Sequence, residues 1–153
     1  MENSDVFLTD DGRQFALTQL EFLRTTKRAE VAQYLQDAKE SGDVIDNAAY
    51  EDAKSEHARL ENRIYELEQM LLRAKTISRS LGSEVSLGSV LHLATSDKEY
   101  NYTIVGAFEA DPRAGRISNE SPVGKALLGH KVGDQVIVST PGGVKEYTIL
   151  SIA

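Results

Sequence analysis

Six carboxylates, Asp37, Glu40, Asp43, Asp46, Glu51 and Asp52, stand within 16 consecutive residues against the single Lys39, a net charge of −5. Asp43 and Asp46 flank the centre of this stretch. There a carboxylate pair can meet a hard cation such as Mg²⁺, which commonly takes one or two protein carboxylates and keeps several waters. Two carboxylates leave coordination positions open, so a metal held there would be shared with a partner. The competing reading is that Asp favours turns and helix N-caps, and that the other acids form a solvated face. Arg24, Lys27, Arg28, Arg59 and Arg63 make a second, basic group. They can touch a polyanion lying alongside, or pair with neighbouring Glu residues along helix faces.

Other chemistries are poorly provided for. With no cysteine there is no disulfide, thiolate nucleophile or Cys-based zinc site, and three scattered histidines lack the paired spacing of metal ligands. His92 and His130 have no nearby Ser or Asp in a nucleophile motif, and Gly142-Gly143 is too short a signal for phosphate binding. The formal charge of −7, from 17 basic and 24 acidic side chains, argues against general nucleic-acid binding through phosphate contacts. Contact with nucleic acid is expected to be local or carried by a partner. No apolar run approaches the roughly 20 residues that cross a bilayer, and the N-terminus lacks the order of a secretory signal, so the expected location is the cytoplasm and no membrane partner is expected.

The elements that must position the acids follow from composition and period. Residues 1–80 contain only Gly12 and Gly42 and no proline, whereas the rest holds nine glycines and all three prolines. A helical domain over 1–78 and a strand-and-turn domain over 79–153 follow, joined at Ser78 to Ser83. Tyr50, Ala53, His57, Leu60, Ile64, Leu67, Leu71 and Ala74 alternate in steps of three and four, a coiled-coil seam. Ala16, Leu20, Leu23, Lys27, Val31, Tyr34 and Ala38 form a similar stripe with one extra residue between Lys27 and Val31. In an antiparallel hairpin facing residue numbers share one total. Ala38 with Ala53, Tyr34 with His57, Val31 with Leu60, Lys27 with Ile64 and Leu20 with Leu71 all total 91. The turn then falls between Ile45 and Asp46, after the stop signal Ser41-Gly42-Asp43, with Asp46 or Asn47 as N-cap. A second helix from about Asn47 to Thr76 would be roughly 45 Å long. The acids would sit at the tip of a rod; a dimerising or purely structural coiled coil is the alternative.

In the second domain Val85 to Ala94, Tyr102 to Glu109, Gln135 to Ser139 and Val144 to Ile152 read as strands, with Pro141-Gly142-Gly143 as a hairpin connection. Ser121-Pro122, the apolar body Val123 to Leu128 and Gly129 predict one short helix. The expected class is α+β: an N-terminal antiparallel coiled-coil hairpin, then a small antiparallel sheet crossed by one short helix. A docking role fits the sheet domain better than catalysis.

Leu8-Thr9 with Gly12, Arg28-Ala29-Glu30-Val31, the run from Gly42 to Tyr50 and Ala53-Lys54 together resemble the N-terminal hairpin of the bacterial Gre transcript-cleavage factors. So do Ile104-Val105-Gly106, Glu109-Ala110-Asp111, Ile117-Ser118, Ser121-Pro122, Ala126-Leu127 with Gly129, Gly133-Asp134 and Pro141-Gly142-Gly143, in family order from about residue 8 to Ile152. The resemblance implies a cytoplasmic, monomeric transcription elongation factor with a C-terminal domain of FK506-binding-protein-like fold, and DNA binding among the family's attributes. It implies that the rod enters the secondary channel of a backtracked RNA polymerase while the sheet domain sits on the rim. Asp43 and Asp46, matching the family's tip acids, would be lent to the polymerase as second-Mg²⁺ ligand and water-orienting group. The factor would hold no Mg²⁺ when alone, and the polymerase would cut its own RNA by two-metal hydrolysis. Arg24, Lys27, Arg28, Arg59 and Arg63 would line the path of the RNA 3′ end, and Ser121 and Pro122 match a docking segment. Two departures stand out: Asp46 and Ala49 occupy positions where the family usually has Glu. An alternative therefore stays open, a channel-binding regulator or inhibitor of synthesis that does not promote cutting. A prolyl isomerase and a self-associating coiled coil unrelated to transcription are the remaining alternatives.

Overall fold

The computed structural model describes residues 5–41, 47–77 and 82–153. The expected turn at Ile45 and Asp46, with its stop signal Gly42-Asp43, lies outside the described residues, as do positions 78–81 of the expected joint. The chain divides into two compact units, Arg13–Arg73 and Met1–Gly12 with Ala74–Ala153.

Helix α1 (Asp10–Phe22) runs through a π turn (Leu23–Lys27) into α2 (Arg28–Ser41), and α3 (Ala48–Arg73) returns antiparallel to them. Its 26 residues span about 39 Å. The buried apolar residues are Ala16, Leu20, Val31 and Ala38 of the first stripe on one arm, and Ala53, Leu60, Ile64, Leu67 and Leu71 of the second stripe, with Met70 beside it, on the other. Tyr34 and His57, expected to face each other in the seam, are exposed. The extra seam residue has a structural answer. Eight residues of α-helix turn about 80° beyond two full turns, which would carry Val31 off the stripe. The π turn absorbs the surplus: the Arg28 N–H reaches the Leu23 carbonyl, five residues back, and Val31 stays buried.

One expectation about the end of the hairpin is corrected. The second helix stops at Arg73 rather than Thr76, because Ala74–Ile77 forms strand β2, paired in parallel with β1 (Val6–Thr9). The β-branched Thr76 and Ile77 favour the strand over another helical turn.

The second unit contains β3 (Val90–Ala94), β4 (Glu99–Val105), β5 (Arg116–Ser118), α4 (Pro122–Leu127), β6 (Gln135–Thr140) and β7 (Gly143–Ile152). The sheet order is β5-β4-β3-β7-β6. The sheet is mixed rather than antiparallel throughout, since β5 runs parallel to β4. Two expected strands are shorter at one end. Ser86 to Ser89 form a turn before β3, with the Ser89 hydroxyl accepting from the Ser86 N–H (2.9 Å), and Ala107–Glu109 form a 3₁₀ turn after β4. The core gathers Leu91, Leu93, Ile104, Leu127, Val138, Tyr147 and Ile149. Gly106 lies where a Cβ would come 2.0 Å from the Phe7 carbonyl oxygen, so β1 can pack on this turn only because that position carries no side chain.

Candidate functional site at the hairpin tip

At the tip, α2 ends at Ser41 and α3 begins at Ala48. The Asn47 Oδ1 accepts the Tyr50 N–H (3.1 Å), which caps α3, and its Nδ2 donates to the Ala38 carbonyl (2.6 Å) in the last turn of α2. One turn further from the tip the Tyr34 hydroxyl donates to Asp52 Oδ2 (2.9 Å), and this bond holds the phenol above its ordinary pKa. Sequence reasoning reached the cap but missed both cross-helix bonds. Their only signal was an amide at the capping position, where a hydroxyl or carboxylate caps as well, and a tyrosine in an otherwise aliphatic stripe.

Asp43 and Asp46 lie outside the described residues. The four other tip acids have local partners: Asp37 accepts from Gln33 (2.8 Å), Glu40 from Gln36 (3.1 Å), Glu51 from Lys54 (2.9 Å) and Asp52 from Tyr34. Lys54 also stands 4.9 Å from the Tyr50 ring centroid. No group of three or more potential metal ligands occurs among the described residues. Each of these four carboxylates is thus engaged locally, and carboxylate oxygens are the kind of donor that Mg²⁺ takes, commonly one or two with several waters kept.

The five shaft cations each have a glutamate partner. Arg24 pairs with Glu68 (Nε to Oε1 3.1 Å) and Arg28 grips Glu61 with two bonds of 2.9 and 2.8 Å, both across the hairpin. Lys27 pairs with Glu30 (3.3 Å), Arg59 with Glu56 (2.8 Å) and Arg63 with Glu66 (3.4 Å), each three residues apart. The Arg28 hydrogen bond lowers the pKa of Glu61 and raises that of Arg28.

In the sheet unit Ser121 caps α4: its Oγ accepts the Gly124 N–H (3.0 Å) and donates to the Ser118 carbonyl (2.7 Å), with the exposed Pro122 at the first helical position. Thr9 caps α1, accepting the Gly12 N–H (3.1 Å) while its own N–H and hydroxyl donate to Glu109 (2.8 and 2.5 Å). His92 and His130 face carboxylates, Glu99 (2.8 Å) and Asp134 (3.1 Å), with no nucleophile between them. Tyr100, Tyr102 and Tyr147 pack on one another with centroids 5.4 to 6.4 Å apart, and burial pushes the Tyr102 hydroxyl up to about 12. Tyr147 is buried in the core, and Tyr100 and Tyr102 are partly buried against it.

No helix among the described residues is long and apolar enough to cross a membrane. The family model "Transcription elongation factor, N-terminal" matches residues 6–76, and "Transcription elongation factor, GreA/GreB, C-term" matches residues 80–153. The transcription elongation factor GreA of Acetivibrio thermocellus is 46% identical over 154 residues, covering 98% of this chain and 97% of its own length. That of Chloroflexus aggregans is 45% identical, covering 99% of both. Among solved structures, the GreA factor homolog 1 of Thermus thermophilus is 38% identical over 97% of this chain and 99% of that one, with a TM-score of 0.45. With both halves matched by the family's two models, the chain belongs to the GreA/GreB family of transcription elongation factors.

Proposed function

We propose that the hairpin enters the secondary channel of RNA polymerase and presents Asp43 and Asp46 to the polymerase's catalytic Mg²⁺, stimulating cleavage of backtracked RNA. The observation that carries this is that the segment holding Asp43 and Asp46 lies in the sequence between two antiparallel helices, α2 ending at Ser41 and α3 beginning at Ala48, in a chain whose family is that of transcription elongation factors. The protein is an accessory factor. It lends ligands to the polymerase's endonuclease and has no complete active site of its own. Mg²⁺ would supply activation of the attacking water and stabilisation of the leaving oxygen. Asp43 would hold the second ion, and Asp46 would orient the water.

Arg24, Lys27, Arg28, Arg59 and Arg63 line the path of the RNA 3′ end in this reading. Exposed ion pairs are weakly held in water, so RNA phosphates can replace their glutamate partners at little cost. The sheet unit, read as FK506-binding-protein-like, docks at the channel rim with Ser121 and Pro122 on the docking segment, and any contact with DNA runs through the polymerase complex. The protein works in the cytoplasm as a monomer.

A second reading is favoured by one feature. Ala49, where the Gre family usually has Glu, is exposed in the first turn of α3 and can bring no carboxylate to the tip. A factor with this tip would occupy the channel and slow synthesis without cutting. Backtracked elongation complexes given the protein and Mg²⁺ should release short 3′ RNA fragments. Binding without fragments, together with slowed nucleotide addition, would establish the second reading in place of the first.

A further inference from the structure

We infer that Asn47 is a positioning residue that holds the tip ends of the two helices together, tying the first turn of α3 to the last turn of α2, an inference whose effect on cleavage rests on the reading above. A helix N-cap needs only an acceptor, and Ser, Thr, Asp and Asn all supply one. Asn47 does more. Its Oδ1 takes the Tyr50 N–H (3.1 Å) and its Nδ2 reaches the Ala38 carbonyl (2.6 Å), nine residues back across the turn. Flipping the amide would set carbonyl against carbonyl and N–H against N–H, so the network fixes its orientation. Ala38 is among the last four residues of α2, whose carbonyls have no donor within the helix, and Tyr50 is among the first residues of α3, whose N–H groups have no acceptor. One side chain therefore satisfies a group on each helix end.

The surroundings fit a brace. Ala38 and Ala53, 3% and 0% exposed, are small enough to let the two backbones approach at this level. The bond from Tyr34 to Asp52 (2.9 Å) makes a second tie one turn down the shaft. Two ties at different heights restrain both the separation and the rotation of the helix ends that carry residues 42–46, and Asp46 is one peptide bond from Asn47. Groups that meet a reacting centre tolerate little displacement: a misplacement of about 1 Å can cost about a hundredfold in rate.

The test uses the full chain on backtracked elongation complexes, with Asn47→Ser and Asn47→Asp compared with the parent. Both variants keep a capping oxygen, and Asp loses the donor to the Ala38 carbonyl without changing size. The expected result is a fall of about tenfold or more in maximal cleavage rate at saturating factor. The concentration of factor giving half-saturation should move less than about twofold, the Mg²⁺ needed for half-maximal rate should rise, and melting should match the parent. Variants that cut at the parental rate overturn the inference. So do variants whose binding and melting temperature fall in step with cleavage, since that marks a purely structural role. If the parent binds but does not cut, the cleavage reading fails on its own account, and the brace is then decided by distance. The chain has no cysteine, so spin labels on Lys39→Cys and Ala49→Cys report the helix-end separation alone. A distribution that broadens on Asn47→Ser supports the brace; an unchanged one overturns it.

Discussion

In the sheet unit ten buried apolar residues between Val85 and Ile149 close on one another, and backbone approaches such as Gly106 on Phe7 leave no room for one further methyl. In the hairpin the apolar stripe is narrow, and the bonds that cross it at Arg24, Arg28 and Tyr34 join exposed side chains. The contrast separates two kinds of vulnerability. Changes in the sheet unit act on folding, because close packing cannot relax around an added or missing atom. Changes on the hairpin surface leave the fold almost untouched, so a loss of function there reports on the tip or on the RNA path rather than on folding.

The largest effect on stability should come from Gly106→Ala. Its Cβ would meet the Phe7 carbonyl oxygen at 2.0 Å, and the forced shift of β1 should cost about 1–3 kcal/mol in urea denaturation followed by tyrosine fluorescence. Cleavage at a temperature where the variant is folded should be unchanged; lost cleavage in a folded variant would break the separation between the two regions.

A smaller effect is expected at the Arg28–Glu61 rung. The hydrogen bond from Arg28 holds the Glu61 carboxyl below the ordinary 4.5, so the folded state takes up this proton less readily than the unfolded chain. The stabilisation is therefore present above about pH 4.5 and is lost as pH falls through the lower folded value. Glu61→Gln should lower the melting temperature by no more than about 2 °C at pH 7, and the difference from the parent should vanish once the pH is low enough to protonate Glu61 in the folded protein. A difference that persists at low pH would assign Glu61 a packing role instead.

The hairpin was legible because a three-four apolar spacing dictates which face is buried. Ala38, Ala53, Val31 and Leu60, expected in the seam, are buried, whereas Tyr34 and His57 are exposed and Tyr34 bonds to Asp52 instead. The extra residue between Lys27 and Val31 was also visible, but spacing alone does not say whether a helix breaks, drifts or bulges; the π turn is the tertiary answer. Strands β1, β2 and β5 were not legible. They have four, four and three residues, too few to show alternation, and both β1–β2 and β4–β5 are parallel pairs between segments remote or irregularly linked in sequence. At the tip the carboxylates were plain from composition, whereas the Asn47 and Tyr34 bonds depend on where two separate helices end. The glutamate partners of Arg59 and Arg63 follow from spacing along one helix; those of Arg24 and Arg28 required the second arm.

The central claim is that paired aspartates at the tip act on RNA through the polymerase while contributing little to the fold, and Asp43→Asn tests it most directly. The substitution removes one charge with almost no change in side-chain size and should shift stability by no more than about 0.5 kcal/mol. Parent and variant should therefore bind backtracked complexes alike and melt alike, yet only the parent should release 3′ RNA fragments. Equal fragment release by both proteins would contradict the account.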